Sequence, residues 1–299
     1  MSRQAIPSFA MSEIGRESLR REGVVVTTLA YSVLNDPRRL QPHYHDFFQL
    51  MLLQGRGEVM HDFRDYRVRG STLLFLTPGQ IHSIQPTGGF GGIIISFSQS
   101  FFDHKSPPPS ELLDLPFFFP VDSAPILPIP HGDVFRIGQA FAEIQREFEM
   151  ADALAAESLR AWLRILFART MRLHTQQRPV VELSARARLV REFHLAVEGH
   201  FREERTLEIY ARELGVSANH LNDVLRAETK QSAGGIIRQR RLLDAKRLLS
   251  HSELSVSEIG YRLGFHDPSY FGRFFRKGTG CSPAAFREEI REKYHPKGG

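Results

Sequence analysis

The chain has 299 residues, 41% hydrophobic and 24% charged, with a formal net charge of +5. That length suits two domains, and that composition suits an ordinary globular fold. A single cysteine, Cys281, excludes an internal disulfide and a cysteine-rich zinc site, which fits a reducing cytoplasm; no run of about twenty apolar residues is present to span a membrane, and the acid-bearing N-terminus lacks the apolar core of a secretion signal.

Residues 1–22 read as a polar arm. From Gly23 the pattern is that of strands: VVVTTLAYSV, FFQLMLL, GEVMHDF, DYRVRGSTLLFL and GGIIISFS. Turn residues punctuate them at Asn35-Asp36-Pro37, Gln54-Gly55, Arg69-Gly70, Thr77-Pro78-Gly79 and Gly88-Gly89. Many short strands with turn chemistry between them predict a sandwich or barrel. Within this region PHYHDFFQLMLLQGRG (Pro42 to Gly57) and GSTLLFLTPGQIHSI (Gly70 to Ile84) resemble the two cupin motifs. The resemblance implies a cupin-like barrel over residues 23–130, with His43, His45, Gln49 and His82 near the metal-ligand positions. Strand alternation puts His43 and His45 on one face. Imidazoles so placed suit Zn²⁺ or Fe²⁺; the same side chains equally serve as polar groups of a ligand pocket or as hydrogen-bonded core residues. Gln49 stands where the motif usually has Glu, so the expectation is a pocket without a resident metal cofactor. Arg38 joins the four as a candidate effector contact, since Arg38 or Arg39 would supply the cation for an anionic effector.

The stretch from His104 to Pro130 holds eight prolines, which remove donors and resist helix; its Phe117-Phe118-Phe119 is expected to pack on the outside of the barrel. Two amphipathic helices follow in residues 131–178. Asp133 to Glu149 places Phe141, Ile144 and Phe148 on one face, and Glu157 to His174 places Leu159, Trp162, Leu163, Leu166 and Leu173 on another. Gln176-Gln177-Arg178-Pro179 reads as a linker, and another amphipathic helix from Leu183 to Phe201 opens the last domain, residues 179–299.

Two similar units then appear. Thr206 caps LEIYARELG, Gly215 turns the chain, and Ser217 caps ANHLNDVLRAET. The second unit has Ser257 as a cap, Gly264 at the turn and Asp267-Pro268 opening the next helix. Two short helices about a glycine turn are the pattern of a helix-turn-helix. In the first unit Ser217, Ala218, Asn219, His220, Asn222, Asp223 and Arg226 are candidates for DNA contact. In the second they are Ser269, Tyr270, Arg273, Arg276 and Lys277. The helix between the units is predicted over GGIIRQRRLLDAKRLLS; about fourteen residues of it span roughly 21 Å, so the outer helices would lie about one DNA turn, roughly 34 Å, apart. From Arg186 onward the chain has 21 Lys plus Arg against 15 Asp plus Glu, a net of +6, and the remainder nets −1. The excess positive charge thus lies where phosphate neutralisation requires it.

Arg241-Leu242 with Ala245 and Leu248-Leu249, then SEIGYRLGFHDPSYFGRFFRKGTGCSPAAFR from Ser257 to Arg287, resemble the AraC/XylS family of bacterial transcription regulators over about a hundred residues. Departures are few: Tyr210 and Gly260 where the family more often has a small residue such as Ala, and Gly234-Gly235 at the start of the linking helix. The resemblance implies an α+β chain: an N-terminal cupin-like β-barrel plus helices, then an all-α domain with two helix-turn-helix units. It implies an activator in the cytoplasm, not an enzyme, that binds double-stranded DNA and a small-molecule effector, with RNA polymerase as a further partner. The two helices after the barrel would pair a homodimer, with Trp162 and Leu166 as contacts, and Arg241 would be internal and structural. The alternatives from other classes are a metal-dependent cupin enzyme fused to DNA-binding helices and an effector-independent nucleic-acid-binding protein.

Overall fold

The computed structural model describes residues 5–14, 19, 22–87, 89–104, 112, 115–118, 124–177, 185–203 and 205–294. The chain forms two compact units, Pro7–Pro179 and Val180–Gly299, the latter joined by Met1–Ile6.

The first unit is sheet-rich. Its strands are β1 (Ser8–Phe9), β2 (Val24–Thr28), β3 (Tyr44–His45), β4 (Phe48–His61), β5 (Arg64–Leu76), β6 (His82–Pro86), β7 (Gly91–Phe97) and β8 (Ile126–Pro128). The main sheet runs β2-β7-β4-β5-β8, with β6 also on β4, while β1 pairs with β3. β4 and β5 form a long hairpin whose two turn residues, Asp62 and Phe63, both have positive φ, 46° and 68°. Such a turn matches the right-handed twist of its strands.

β4 corrects the expectation of two strands, FFQLMLL and GEVMHDF. It is one strand that changes partner, pairing with β7 from Phe48 to Gln54 and with β6 from Gly57 to His61. Gly55 sits at the change with φ +105°, and a Cβ there would lie 2.5 Å from the Gly89 carbonyl oxygen. Only glycine permits both the dihedral and the approach. The run VVVTTLAYSV is also corrected. It is extended only to Thr28, whose hydroxyl accepts from Tyr31 N–H at 3.1 Å and starts α1 (Leu29–Asn35). β-Branched residues favour strands, but threonine is also a good cap, and here the cap prevails.

Alternation along β4, β5 and β7 separates two apolar layers. Leu50, Leu52, Leu73, Phe75, Ile95 and Phe97 pack with α3 (His131–Met150) and α4 (Ala155–Gln177), through Phe141, Ile144, Leu159, Leu163 and Phe167. Met51, Leu53, Val59, Leu74, Leu76, Ile84 and Ile94 form the opposite, inner layer. Phe117 and Phe118 join the outer layer, with ring centroids 4.5 Å from Phe75 and 5.4 Å from Phe48, as expected for packing outside the barrel; Phe119 lies outside the described residues, as do Arg178 and Pro179 of the linker. α2 (Gln99–Phe102) completes this unit, capped by Ser98, whose hydroxyl accepts from Phe101 N–H.

The second unit is helical: α5 (Ala185–His200), α6 (Leu207–Glu213), α7 (Ala218–Thr229), α8 (Ala233–His251), α9 (Val256–Arg262), α10 (Pro268–Thr279) and α11 (Pro283–Tyr294). Ser217 caps α7, and Asp267 caps α10 by accepting from Ser269 N–H at 2.8 Å. Ser257 does not cap α9. Ser255 does, in a capping box with Glu258, the two giving reciprocal bonds of 3.2 and 2.7 Å. Arginines brace α8 at its middle and at its C-terminal end. Arg241 Nε donates to the Phe201 carbonyl at 2.5 Å and Nη2 to that of Glu203, which agrees with the expected internal role. Arg202 pairs with Asp244 at 2.9 Å, and Arg240 with Glu198 at 2.6 Å. At the C-terminal end Arg287 donates to the carbonyls of Leu249 and Leu254, and Arg291 to that of Ser252.

Candidate functional site

The inner layer of the first unit encloses a pocket of about 30 Å³. Its polar wall is built from backbone geometry. Gln49 on β4 and Ser96 on β7 are directly paired residues, and Gln49 Nε2 donates to Ser96 Oγ at 2.9 Å. His43 and His82 exchange backbone bonds of 3.0 and 2.8 Å, which brings their rings within 4.2 Å of each other. His45 lies 4.9 Å from the His82 ring and stacks on Phe47 at 4.2 Å. The sequence-predicted quartet His43, His45, Gln49 and His82 is therefore brought together.

Each histidine uses Nδ1 in the same way. His43 bonds the Gln41 carbonyl at 2.8 Å, His45 that of Phe47 at 2.7 Å, and His82 that of Gln80 at 3.2 Å. A carbonyl only accepts, so Nδ1 carries the proton and Nε2 is left with a bare lone pair. Burial keeps the rings neutral, lowering His43 to about 4 and His45 to about 3, and pushing His82 well below its ordinary value. His82 Nε2 and Arg39 Nε are buried with no hydrogen-bond partner among the described residues, whereas His45 Nε2 and the Gln49 amide lie close enough to pair once the amide presents its NH₂. Nδ1–H bonds to carbonyls are also how metal-ligating histidines are oriented; among the described residues, however, no three His, Cys, Asp or Glu side chains are grouped to hold an ion.

Arg38 does not reach the pocket. Its side chain is 71% exposed and tied to Asp36 by bonds of 2.9 and 2.7 Å, a local pairing that turns it to solvent. Its neighbour Arg39 lines the pocket instead, donating to Ser32 Oγ at 3.0 Å and to the Glu13 carbonyl at 2.7 Å, with its guanidinium over Phe9. Adjacent arginines look alike in a sequence; the turn Pro37–Leu40 decides which points inward.

In the second unit, Asn219, His220, Asp223 and Arg226 are exposed on α7, and Ser269, Tyr270, Arg273, Arg276 and Lys277 on α10. Asn222 departs from that expectation. Its Oδ1 accepts from Ala233 N–H at 3.1 Å, satisfying one of the orphan donors at the start of α8. Ser217 is engaged in its cap and Ala218 is half-buried. Arg273 lies 5.9 Å from the Tyr270 ring and 3.8 Å from the Asp267 carboxylate. Tyr261 on α9, 58% exposed, was not among the expected residues. Its signal is a bulky aromatic two residues past the inward Ile259. Gly260, between them, faces Phe271, whose Cβ would be 3.2 Å from an added methyl.

Trp162 is half-buried, and Leu166 is fully buried in its own unit's core. The expectation of a partner contact at Leu166 gives way, because that side chain packs with the strands behind it. The large apolar side chains that α3 and α4 expose are Phe135, at 78%, Met150, at 58%, and Ile165, at 40%.

Two family models match this chain: an AraC-like ligand binding domain over residues 30–108 and a helix-turn-helix domain over residues 210–289. The HTH-type transcriptional activator RhaS of Escherichia coli (strain SMS-3-5) is 25% identical over 267 residues, which cover 86% of this chain and 92% of RhaS. Among solved structures, the C-terminal domain of AraT, a response regulator from Geobacillus stearothermophilus, is 31% identical over 36% of this chain and 88% of that one, with a TM-score of 0.34. No helix among the described residues is long and apolar enough to cross a membrane.

Proposed function

Because the chain belongs to the AraC family of transcription regulators, with a ligand-binding domain before a helix-turn-helix domain, we propose that it is a cytoplasmic activator that binds paired half-sites as a homodimer and works with RNA polymerase. The observation that carries this reading is the pair of exposed polar helix faces, α7 and α10, each opened by a side-chain cap. Arg226 and Arg273 have the chemistry to pair bidentately with guanine and Asn219 with adenine, while Arg276 and Lys277 suit phosphates. Arg202, Arg240, Arg241, Arg287 and Arg291 hold helices together. Arg202, Arg240 and Arg291 face Asp244, Glu198 and Glu253, acids already counted in the net of +6, so only Arg241 and Arg287, which donate to carbonyls, reduce the charge left for phosphates.

The effector is read as sitting against His43, His45, Gln49 and His82, with Arg39 in place of Arg38. Homodimer pairing is read as using the exposed flank of α3 and α4 around Phe135 and Ile165, with Trp162 beside it. Protection of duplex DNA by the full-length protein, mapped base by base, tests the reading. Two protected major-groove segments about one turn apart per protomer are expected. Binding that tracks only total charge and ignores sequence would overturn it in favour of effector-independent nucleic-acid binding.

A further inference from the structure

α10 exposes one large aromatic ring among polar side chains. Tyr270 is 57% exposed, with Ser269, Arg273, Arg276 and Lys277 exposed on the same helix. An apolar ring left in water contributes nothing to the core, yet its neighbours hold this one in place. The ring of buried Phe265 lies 5.9 Å from it, centroid to centroid, and the Arg273 guanidinium lies 5.9 Å from the Tyr270 centroid. Tyr270 and Arg273 are three residues apart, which makes them neighbours on a helix surface. The Tyr270 hydroxyl has no hydrogen-bond partner among the described residues. A ring supported in this way has little rotamer freedom left to lose when it meets a surface.

Arg273 differs in its surroundings from the cations further along the helix. Its Nη2 is 3.8 Å from the Asp267 carboxylate, too far for a hydrogen bond. Its donors therefore stay free while its charge is partly offset. Arg276 and Lys277 form no ion pair among the described residues and keep their full charge. A phosphate gains less from Arg273 than from either of them, whereas a guanine edge needs donors and not net charge. On α7, counted from its cap Ser217 as Tyr270 and Arg273 are counted from Asp267, the corresponding residues are His220 and Asp223. The tyrosine–arginine pair is thus a property of α10, and α7 carries an acid at that place. The N-terminal residues of a recognition helix are the ones that reach base edges, and the apolar group they meet in the major groove is the thymine methyl. We infer that Tyr270 and Arg273 read one dinucleotide step together: the ring packs on a thymine methyl, and the guanidinium pairs with the guanine beside it. This inference rests on the reading that α10 enters the major groove. Side chains with Cβ atoms about 5–6 Å apart are close enough to reach adjoining bases, stacked about 3.4 Å apart.

The test uses the full-length protein and the duplex it selects from a randomised pool. Each thymine of that duplex is replaced in turn by deoxyuridine, which removes the methyl group alone. At one thymine the replacement should weaken binding about three- to fivefold, as burial of a single methyl group implies. In Tyr270→Ala the same replacement should have no further effect; in Tyr270→Phe, which keeps the ring, it should weaken binding as in the parent. At the adjoining guanine, 7-deazaguanine removes the N7 acceptor. It should weaken the parent about tenfold and leave Arg273→Ala unchanged. All three variants should melt near the parent, since neither side chain is buried. A duplex whose thymines can all be replaced without loss would overturn the inference. So would a methyl effect that survives in Tyr270→Ala, or a sensitive thymine and guanine that do not adjoin. In each of these cases the reading of a sequence-specific helix face would stand. Selection that yields no preferred sequence would overturn that reading along with the inference.

Discussion

Gly264 is where a single methyl group should do most damage to the second helix-turn-helix. Its φ is +79°, and an added Cβ would lie 2.2 Å from the backbone oxygen of Arg202. The left-handed conformation costs an alanine about 1–2 kcal/mol. The clash adds to that, because the obstacle is a carbonyl whose residue is itself held by Asp244 at 2.9 Å. Overpacking of that kind costs about 1–3 kcal/mol, so Gly264→Ala should destabilise this unit by about 2–5 kcal/mol. For a domain near this size, that lowers the melting midpoint by roughly 10–20 °C. Gly199 near the end of α5 is the control, since a Cβ there meets nothing within 4 Å; Gly199→Ala should be neutral or stabilising by about 0.5–1 kcal/mol. Differential scanning calorimetry of the full-length variants, with DNA binding measured on the same samples, reads both effects. A Gly264→Ala protein melting within a degree or two of the parent would refute the reasoning about this turn.

Asn219→Ala and Arg226→Ala should each lose discrimination at one or two base pairs, by about 1–3 kcal/mol, when titrated against single-substituted duplexes; uniform weakening on every duplex would make them phosphate contacts. The sheet-rich unit should lose stability in acid. His43, lowered to about 4 by burial, is neutral in the folded chain where the unfolded chain takes up a proton. Its contribution, on the order of 3 kcal/mol, is full above pH 6.5 and declines as pH falls from 6.5 towards 4. A stability profile that stays flat across that range, measured by denaturant titration, would contradict the burial of the histidines. Finally, Phe135→Asp and Ile165→Asp should leave the melting profile intact while reducing the mass in solution to a monomer. Leu166→Asp should unfold the unit, because it buries a charge without a partner.

The local chemistry of the second unit was legible because caps and turns are short-range. Ser217, Asp267-Pro268 and the glycines Gly215 and Gly264, both with positive φ, act as their residue types require. Strands β5 and β7 and the shared side of His43 and His45 were legible for the same reason, since alternation is a property of adjacent residues, whereas the grouping of these two with Gln49 and His82 came from the resemblance to the cupin motifs. Tertiary choices were harder to read. Ser255 and Ser257 are both good caps, and the Glu258 side chain selected Ser255. Asn222 lies on a polar helical stripe, yet the start of α8 comes close enough to use it. Leu166 has the right period for either an interface or a core, and the strands behind it fill the second role. Gln54-Gly55 reads as a turn between two strands, whereas here it is a bend within one.

The bonds along α8, from Asn222 at its start to the arginines at its middle and end, turn it into a ruler. Arg241 ties its middle to the carbonyls of Phe201 and Glu203, and Arg287 and Arg291 of α11 donate to the carbonyls of Leu249, Ser252 and Leu254 at and just beyond its last turn. With its start bonded to Asn222 of α7 and its middle and end clamped, the distance and phase between α7 and α10 become properties of the protein, and the DNA must comply. One base pair inserted between two half-site segments rotates them by about 34–36° relative to each other. A flexible connector would absorb that twist; this one passes it to the duplex, which resists as a stiff rod does. Operators for this chain should therefore tolerate changes of base far better than changes of length.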